Sequence, residues 1–222
     1  MSRPPLGRRP AVRLRSGRRR TASSRRWLER QLTDPYVAAA REKGWRSRAA
    51  FKLIEIDDRF ALLGAGRRVV DLGAAPGGWS QVAVARGARP VIAVDRQEMA
   101  SLAGAETVVG DIREDETVAR VRAALGGAAD LVLSDMAAPA TGHAATDHIR
   151  VAALAEAAFV FALSVLAPGG ALVCKVLGSG ADGALLAEMK RRFGRVRHVK
   201  PPASRADSAE RYLVATGFRP AA

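Results

Sequence analysis

Three acids and a glycine-rich run are placed to hold a small ligand. The run Val70-Asp-Leu-Gly-Ala-Ala-Pro-Gly-Gly-Trp-Ser-Gln81 begins in one apolar stretch, and Asp95 and Asp111 follow the next two. Glycines directly after a strand let backbone approach a ligand closely, at the carboxyl edge where doubly wound sheets take their cofactors. The spacing Gly73-x-x-x-Gly77-Gly78 is not the G-x-G-x-x-G of dinucleotide sites, and Pro76 and Trp79 fill the turn that would receive a pyrophosphate. Such a turn suits a ligand without phosphates. Asp95 is positioned to accept hydrogen bonds from a ribose diol, and Asp111 to meet the amino group of an adenine. Asp71 or its neighbouring backbone would face the far end of that ligand. The plainer role for Asp95 is a loop-start or helix-capping acid. Clustered acids also favour a positively charged ligand.

The elements that must carry these residues alternate. Apolar strands are expected at Arg68–Leu72, Val91–Asp95, Glu106–Val109, Asp130–Ser134 and Gly170–Val176. Helical patterns lie between them at Trp79–Arg86, Thr117–Leu125 and His148–Leu166, with Pro168-Gly169-Gly170 ending the last, and a further helix at Leu185–Phe193. Strands apolar on both faces and alternating with helices imply a parallel sheet covered on both sides. Val196–Lys200 and Tyr212–Thr216 follow one another without a helix, so they should be antiparallel and make the sheet mixed. Ahead of the sheet, Asp34 and Pro35 read as N-cap and first position of a helix stopped by Gly44. Ser47 reads as the cap of a second helix with Phe51, Leu53, Ile54, Ile56 and Phe60 on its apolar stripe.

Composition narrows the function classes. The lone cysteine, Cys174, sits in an apolar run and reads as a core residue, and a disulfide framework is excluded. His143, His148 and His198 lack metal-ligand spacing, so no metal is expected. No apolar run approaches the ~20 residues of a membrane span, and no apolar segment marks a secretory signal. The Arg-rich, acid-free start shares its composition with organellar transit peptides; the cytoplasm is the expected location. The net charge is +14, of which residues 1–28 supply +10 through ten arginines. Residues 1–22 are therefore expected to be a disordered arm whose arginines suit phosphate groups, with residues 23–222 as the folded domain.

In order along the chain stand Ser24-Arg-Arg-Trp-Leu28, Ser47-Arg-Ala-Ala-Phe-Lys-Leu53, Asp71-Leu-Gly-Ala-Ala-Pro-Gly-Gly-Trp-Ser-Gln81, Ser134-Asp-Met136, Leu166-Ala-Pro-Gly-Gly170, Cys174-Lys-Val176, Ser204-Arg-Ala206 and Glu210-Arg-Tyr212. In this succession the chain closely resembles the FtsJ/RrmJ family of bacterial 23S rRNA uridine 2′-O-ribose methyltransferases. The resemblance implies a Rossmann-like class I methyltransferase fold: a mixed seven-stranded sheet, mostly parallel with one antiparallel edge strand, and helices on both faces. It implies S-adenosylmethionine as cofactor, contacted by Gly77, Trp79, Asp95, Asp111 and Asp135. The family's Lys-Asp-Lys-Glu tetrad falls on Lys52, Asp135, Lys175 and Glu210. The implied substrate is an A-loop uridine of 23S rRNA on the large ribosomal subunit, and a monomer is expected. One departure stands beside the tetrad: Ala137-Ala-Pro139 replaces the usual Ala-Pro-Asn after Ser134-Asp-Met136.

The residues agree with that chemistry. A ribose hydroxyl needs its proton removed and its oxygen aligned with an activated methyl group. Lysine titrates near ~10.4 in water, and a neighbouring cation or desolvation lowers that enough for base work, while an adjacent acid opposes it. Lys175 ends an apolar strand, where a surface lysine would be unexpected. RNA contact should extend through Arg46, Arg48 and Arg205, less certainly through Lys43 and Arg26, with Lys190-Arg-Arg192 equally readable as a helix C-terminus. Rival readings are a tRNA ribose methyltransferase, a nicotinamide-dependent oxidoreductase, and a non-catalytic RNA-binding assembly factor.

Overall fold

The structure, a computed structural model, describes residues 32–139, 141–178 and 183–221. The arginine-rich arm, the boundary at residue 22 and the Ser24–Leu28 motif lie outside them. Seven strands form one sheet: β1 (Val69–Leu72), β2 (Val91–Asp95), β3 (Glu106–Val109), β4 (Ala129–Ser134), β5 (Leu166–Leu177), β6 (Phe193–Val199) and β7 (Glu210–Phe218). Their order is β3-β2-β1-β4-β5-β7-β6. The first five pair in parallel, and β7 runs antiparallel to both β5 and β6. The expected antiparallel pair is present, but its reversed member β7 inserts one place in, leaving β6 outermost. That insertion brings the start of β7 beside the end of β5.

Helices cover both faces. On one face lie α1 (Pro35–Glu42), α2 (Ala50–Phe60) and α3 (Gly78–Ala85), packed on Val69, Leu131, Leu133, Val173 and Val214. On the other lie α4 (Asp115–Leu125), α5 (Ala144–Val165) and α6 (Gly183–Arg192), over Val70, Leu72, Val132, Leu172 and Cys174. Strand residues thus alternate between two cores. Cys174 is fully buried among apolar groups, which pushes its thiol up to about 12.

Several boundaries differ from the sequence reading for visible reasons. Asp34 caps α1 as expected, accepting from Tyr36 N at 3.0 Å, with Pro35 opening the helix. Ser47 does not cap α2, which starts at Ala50; Ser47 lies against Gly78, where a Cβ would collide with its hydroxyl. Helix α5 begins at Ala144 because Asp147 in its first turn accepts from Thr141 N and Oγ1 at 2.8 and 2.7 Å. Its end at Val165 precedes Pro168, and Leu166 already pairs with Ala129 across a register shift.

Helix α5 corrects the membrane reading. Its 22 residues, with a mean hydropathy of 1.6 over the most apolar stretch, are long and apolar enough to cross a bilayer. Val151, Ala155, Ala158, Phe159, Phe161, Ala162 and Val165 instead face the sheet, as in a core helix of a folded domain. The apolar run is broken only by residues on its outer side, which a search for uninterrupted runs passes over.

Candidate active site

Alternation along three adjacent strands decides which side chains meet. Ser134 pairs with Cys174, so Asp135 and Lys175 follow side by side; Lys175 in turn faces Tyr212, and Leu177 faces Glu210. Asp135, Lys175, Glu210 and Tyr212 share strand parity with Leu133, Val173 and Val214, whose side chains point to the α1–α3 face. Lys52, on the first turn of α2, enters from that face. Both lysines are buried, Lys52 at 6% and Lys175 at 8% exposure.

The four charges alternate in a closed ring. Lys175 Nζ lies 2.7 Å from Asp135 Oδ1 and 3.9 Å from Glu210 Oε2. Lys52 Nζ lies 2.7 Å from Glu210 Oε1 and 3.9 Å from Asp135 Oδ2. Lys175 also donates to the Asp135 carbonyl at 2.7 Å, which fixes its ammonium against the turn after β4. Burial works to raise the Asp135 carboxyl, but the charges of Lys175 and Lys52 outweigh it and hold it below the ordinary carboxylate range.

A fifth group sits inside the ring. Tyr212 is fully buried, donates to Asp135 Oδ1 at 2.7 Å and accepts from Lys52 Nζ at 3.2 Å. Burial first, then the charges of Asp135 and Glu210, push its phenol well above its usual value, so it serves as a neutral donor. Its ring packs on Trp79, with centroids 5.5 Å apart. Ser204 Oγ donates to Glu210 Oε1 at 3.0 Å. Sequence reasoning quoted Tyr212 and Ser204 within motifs but gave neither a role; the signal was strand parity, since Glu210 and Tyr212 stand two apart.

At the other end of the carboxyl edge the acids are arranged differently. Asp95 accepts from Ala75 N at 2.9 Å and from Gln97 N at 2.8 Å, which ties β2 to the glycine turn. Gly73 and Gly77 have φ of 72° and 103°. A Cβ on Gly73 would fall 2.7 Å from Met136 Cγ, and one on Gly77 2.8 Å from Arg46 Nη1, so both glycines are needed for close approach. Asp111 is bonded by Arg113 at 2.5 and 2.9 Å, and these hydrogen bonds pull its carboxyl down to about 2. Asp71 accepts from Ser80 Oγ at 2.6 Å through one oxygen, while its buried Oδ1 has no hydrogen-bond partner among the described residues. Burial raises Asp71 to about 7 against the opposing hydrogen bonds of the Ser80 hydroxyl and backbone N–H, and the charges of Asp135 and Asp95 add to the rise.

The other expected contacts are placed less simply. Trp79 is 3% exposed and its indole donates to Ala49 O at 2.8 Å, so its side chain is committed to the core. Arg46 donates to Pro76 O and Ala100 O at 3.2 and 2.7 Å and to Ser101 O, closing one wall of a cavity of about 520 Å³ with Ala75, Pro76 and Gln97–Ala100. Arg48 pairs with Asp34 at 2.9 Å and donates to Ala203 O; Arg205 pairs with Asp34 at 3.2 Å. In this structure each of these three arginines is hydrogen-bonded or ion-paired within the chain beside the site. Among the described residues no group of three His, Cys, Asp or Glu side chains is placed to hold a metal ion.

Ala75 and Pro76 of the glycine turn line the cavity, Asp95 accepts from the backbone N–H groups of the lining residues Ala75 and Gln97, and the orphaned Asp71 oxygen is a buried acceptor lacking a donor among the described residues. Beside the charge ring, on a sheet of this order, these features define an S-adenosylmethionine-dependent methyltransferase. A sequence profile of the FtsJ-like methyltransferase family matches residues 45–218. The chain is 59% identical to a protein of Gluconobacter oxydans named ribosomal RNA large subunit methyltransferase E, over 94% of this chain and 78% of that one. It is 56% identical to the protein of that name from Granulibacter bethesdensis, over 98% and 95% of the two chains. Among solved structures, a Plasmodium falciparum protein described as a ribosomal RNA methyltransferase superposes with a TM-score of 0.70 at 27% identity, covering 78% of this chain and 98% of that one. The chain belongs to the FtsJ-like methyltransferase family.

Proposed function

We propose that this protein methylates a ribose 2′-oxygen of large-subunit ribosomal RNA, in the cytoplasm, with an A-loop uridine of 23S rRNA as its target. The observation that carries the reading is the closed ring of Lys52, Glu210, Lys175 and Asp135 at the carboxyl ends of β4, β5 and β7. The relatives' names supply the large-subunit RNA, and the family resemblance supplies the uridine.

S-adenosylmethionine, when bound, supplies an activated methyl group on a sulfonium. Asp71, Asp95, Asp111, Gly77 and the Trp79 backbone would hold it: Asp95 toward the ribose diol, Asp111 toward the adenine amino group, and Asp71 Oδ1 toward the amino-acid end. Asp111 must share its oxygens with Arg113 to do so. Asp135 and Glu210 orient the two lysines. Lys175 must enter the step as the free amine, its ammonium proton having passed to solvent before RNA covers the site; its lone pair then takes the 2′-hydroxyl proton, while Lys52 adds positive charge beside the developing alkoxide. Burial of both lysines excludes water from the proton's path.

The test is a map of 2′-O-methyl positions on ribosomal and transfer RNA from cells with and without the protein. Loss of one large-subunit uridine methylation is the expected result. Loss confined to transfer RNA would move the chain to a different substrate.

A further inference from the structure

The catalytic ring does not account for the chain's basic charge. Residues 29–222 carry a net +4, yet residues 189–206 alone carry seven Lys or Arg and no acid, leaving −3 for the remainder. Most of these cations have internal work. Arg191 pairs with Glu188, Arg192 lies over the Phe218 ring, and Arg205 pairs with Asp34. Lys200 donates to Ala206 O and Ser208 O at 3.1 and 2.8 Å, closing the loop that carries Ser204 toward Glu210. Arg195 and Arg197 on β6 are different: both are exposed, and neither has an ion pair or hydrogen bond from its side chain to another described residue.

Register fixes where they point. Val199, Arg197 and Arg195 pair with Tyr212, Val214 and Thr216, and Tyr212 and Val214 belong to the α1–α3 face. The helix packed against β6 is α6, which contributes to the opposite core. Arg197 and Arg195 therefore stand in a line on the face that holds the charge ring. They lie one and two steps back from the row containing Tyr212, at about 7 Å per step along the strand. Two unpaired guanidinium groups in file, without acids or exposed apolar side chains between them on that face, match successive phosphates of a polynucleotide backbone.

We propose that Arg195 and Arg197 form a phosphate track on the outermost strand that holds RNA flanking the methylated ribose. The proposal rests on the reading of RNA as the substrate. The competing role for charged residues on an edge strand is to prevent pairing with another sheet.

The experiment measures binding of the full chain to a large-subunit rRNA transcript across a salt series, for the wild type and two double variants. One is Arg195→Gln/Arg197→Gln. The other, Arg59→Gln/Arg120→Gln, removes equal charge from exposed positions elsewhere. Each lost phosphate contact lowers the log–log salt slope by about 0.7–0.9, so the first variant should lose about 1.4–1.8 and the second nothing. Unchanged melting temperature and S-adenosylmethionine affinity in both confirm that the fold is intact. An unaltered slope in the first variant, with or without self-association, overturns the track and leaves edge protection. Equal losses in both variants also overturn it, as would a wild type that binds no RNA. If the slope change is seen but the wild type transfers no methyl group to ribose, the track stands and the proposed reaction falls.

Discussion

The two halves of the carboxyl edge treat their charges in opposite ways. Around β4, β5 and β7 each ionised group is matched within the chain: two ammonium groups, two carboxylates and a phenol satisfy one another at 2.7–3.9 Å. Around β1, Asp71 is buried with an oxygen left over, and its pKa has risen to about 7. The first half is assembled before any ligand arrives; the second holds an unmatched acceptor. Chemistry that depends on proton position benefits from preorganisation, whereas binding can supply a missing donor. The contrast assigns each half a different sensitivity to substitution.

The largest effect belongs to Lys175. Lys175→Ala should reduce single-turnover methyl transfer at saturating cofactor and RNA by at least ~10²-fold, with cofactor affinity almost unchanged. Lys175→Arg should recover little, because a guanidinium keeps its charge and cannot give up a proton at working pH. Lys52→Arg should recover part of the rate, since that residue supplies charge. Near-wild-type turnover by Lys175→Arg would make Lys175 an electrostatic group and blur the difference between the two lysines.

Asp71 tests the other half. Its folded pKa of about 7 exceeds the ordinary 3.8, so between those values the folded chain binds more protons than the unfolded one. Stability from this group is therefore fully present below about pH 4, falls as pH rises to about 7, and is level above that. Asp71→Asn cannot ionise, so its melting temperature should gain on the wild type as pH rises from 4 to 7. With the charge gone, S-adenosylmethionine affinity should fall by roughly ten- to a hundredfold. Near pH 7 the wild type should release part of a proton on binding, seen as a buffer-dependent calorimetric enthalpy that the variant lacks. Equal buffer independence in both proteins would show that the cofactor's amino group pairs elsewhere.

Tyr212→Phe should have a smaller effect. The ring keeps its packing on Trp79, but Asp135 loses a 2.7 Å donor and Lys52 an acceptor. A loss of about 1–2 kcal/mol would slow single-turnover transfer roughly five- to thirtyfold and leave cofactor affinity nearly unchanged. A drop in affinity as large as that of Asp71→Asn would mean the two halves act as one site.

Strand periodicity made most of this legible. Val70-Asp-Leu, Val91–Asp95 and Asp130–Ser134 alternate between two cores, so their alignment and their acids could be placed from the sequence. The insertion of β7 between β5 and β6 was not, because antiparallel neighbours can be ordered either way across an edge without changing any local pattern. The roles of Arg46, Arg48 and Arg205 were hidden for a related reason. Arg46 answers to Pro76 and Arg205 to Asp34, 30 and 171 residues away, and Arg48 joins the nearer Asp34 to the distant Ala203; nothing beside an arginine announces such partners. The burial of Lys175 was legible because a lysine ending an apolar strand is expensive to bury without a counter-charge, whereas Lys52 was placed by the family resemblance alone.

The smallest effect should come from Ser204, which separates a part of the ring from its scaffold. Its hydroxyl donates to Glu210 Oε1, the oxygen that Lys52 meets at 2.7 Å. Glu210 keeps both lysines when that hydroxyl is removed, so Ser204→Ala costs one hydrogen bond to a carboxylate and breaks no ion pair. The expected loss is about 1 kcal/mol, roughly fivefold in single-turnover rate, with no change in cofactor affinity. The loop itself should hold, because Ala203 N donates to Glu55 at 2.7 Å, Arg48 donates to Ala203 O and Arg205 pairs with Asp34. Melting temperature should therefore move by no more than a few degrees. Thr, which keeps the hydroxyl, should restore the rate if its methyl group fits beside the buried loop. A loss as large as that of Lys175→Ala would mean that Glu210 is placed by Ser204 and not by the lysines, and the ring would no longer count as self-assembled.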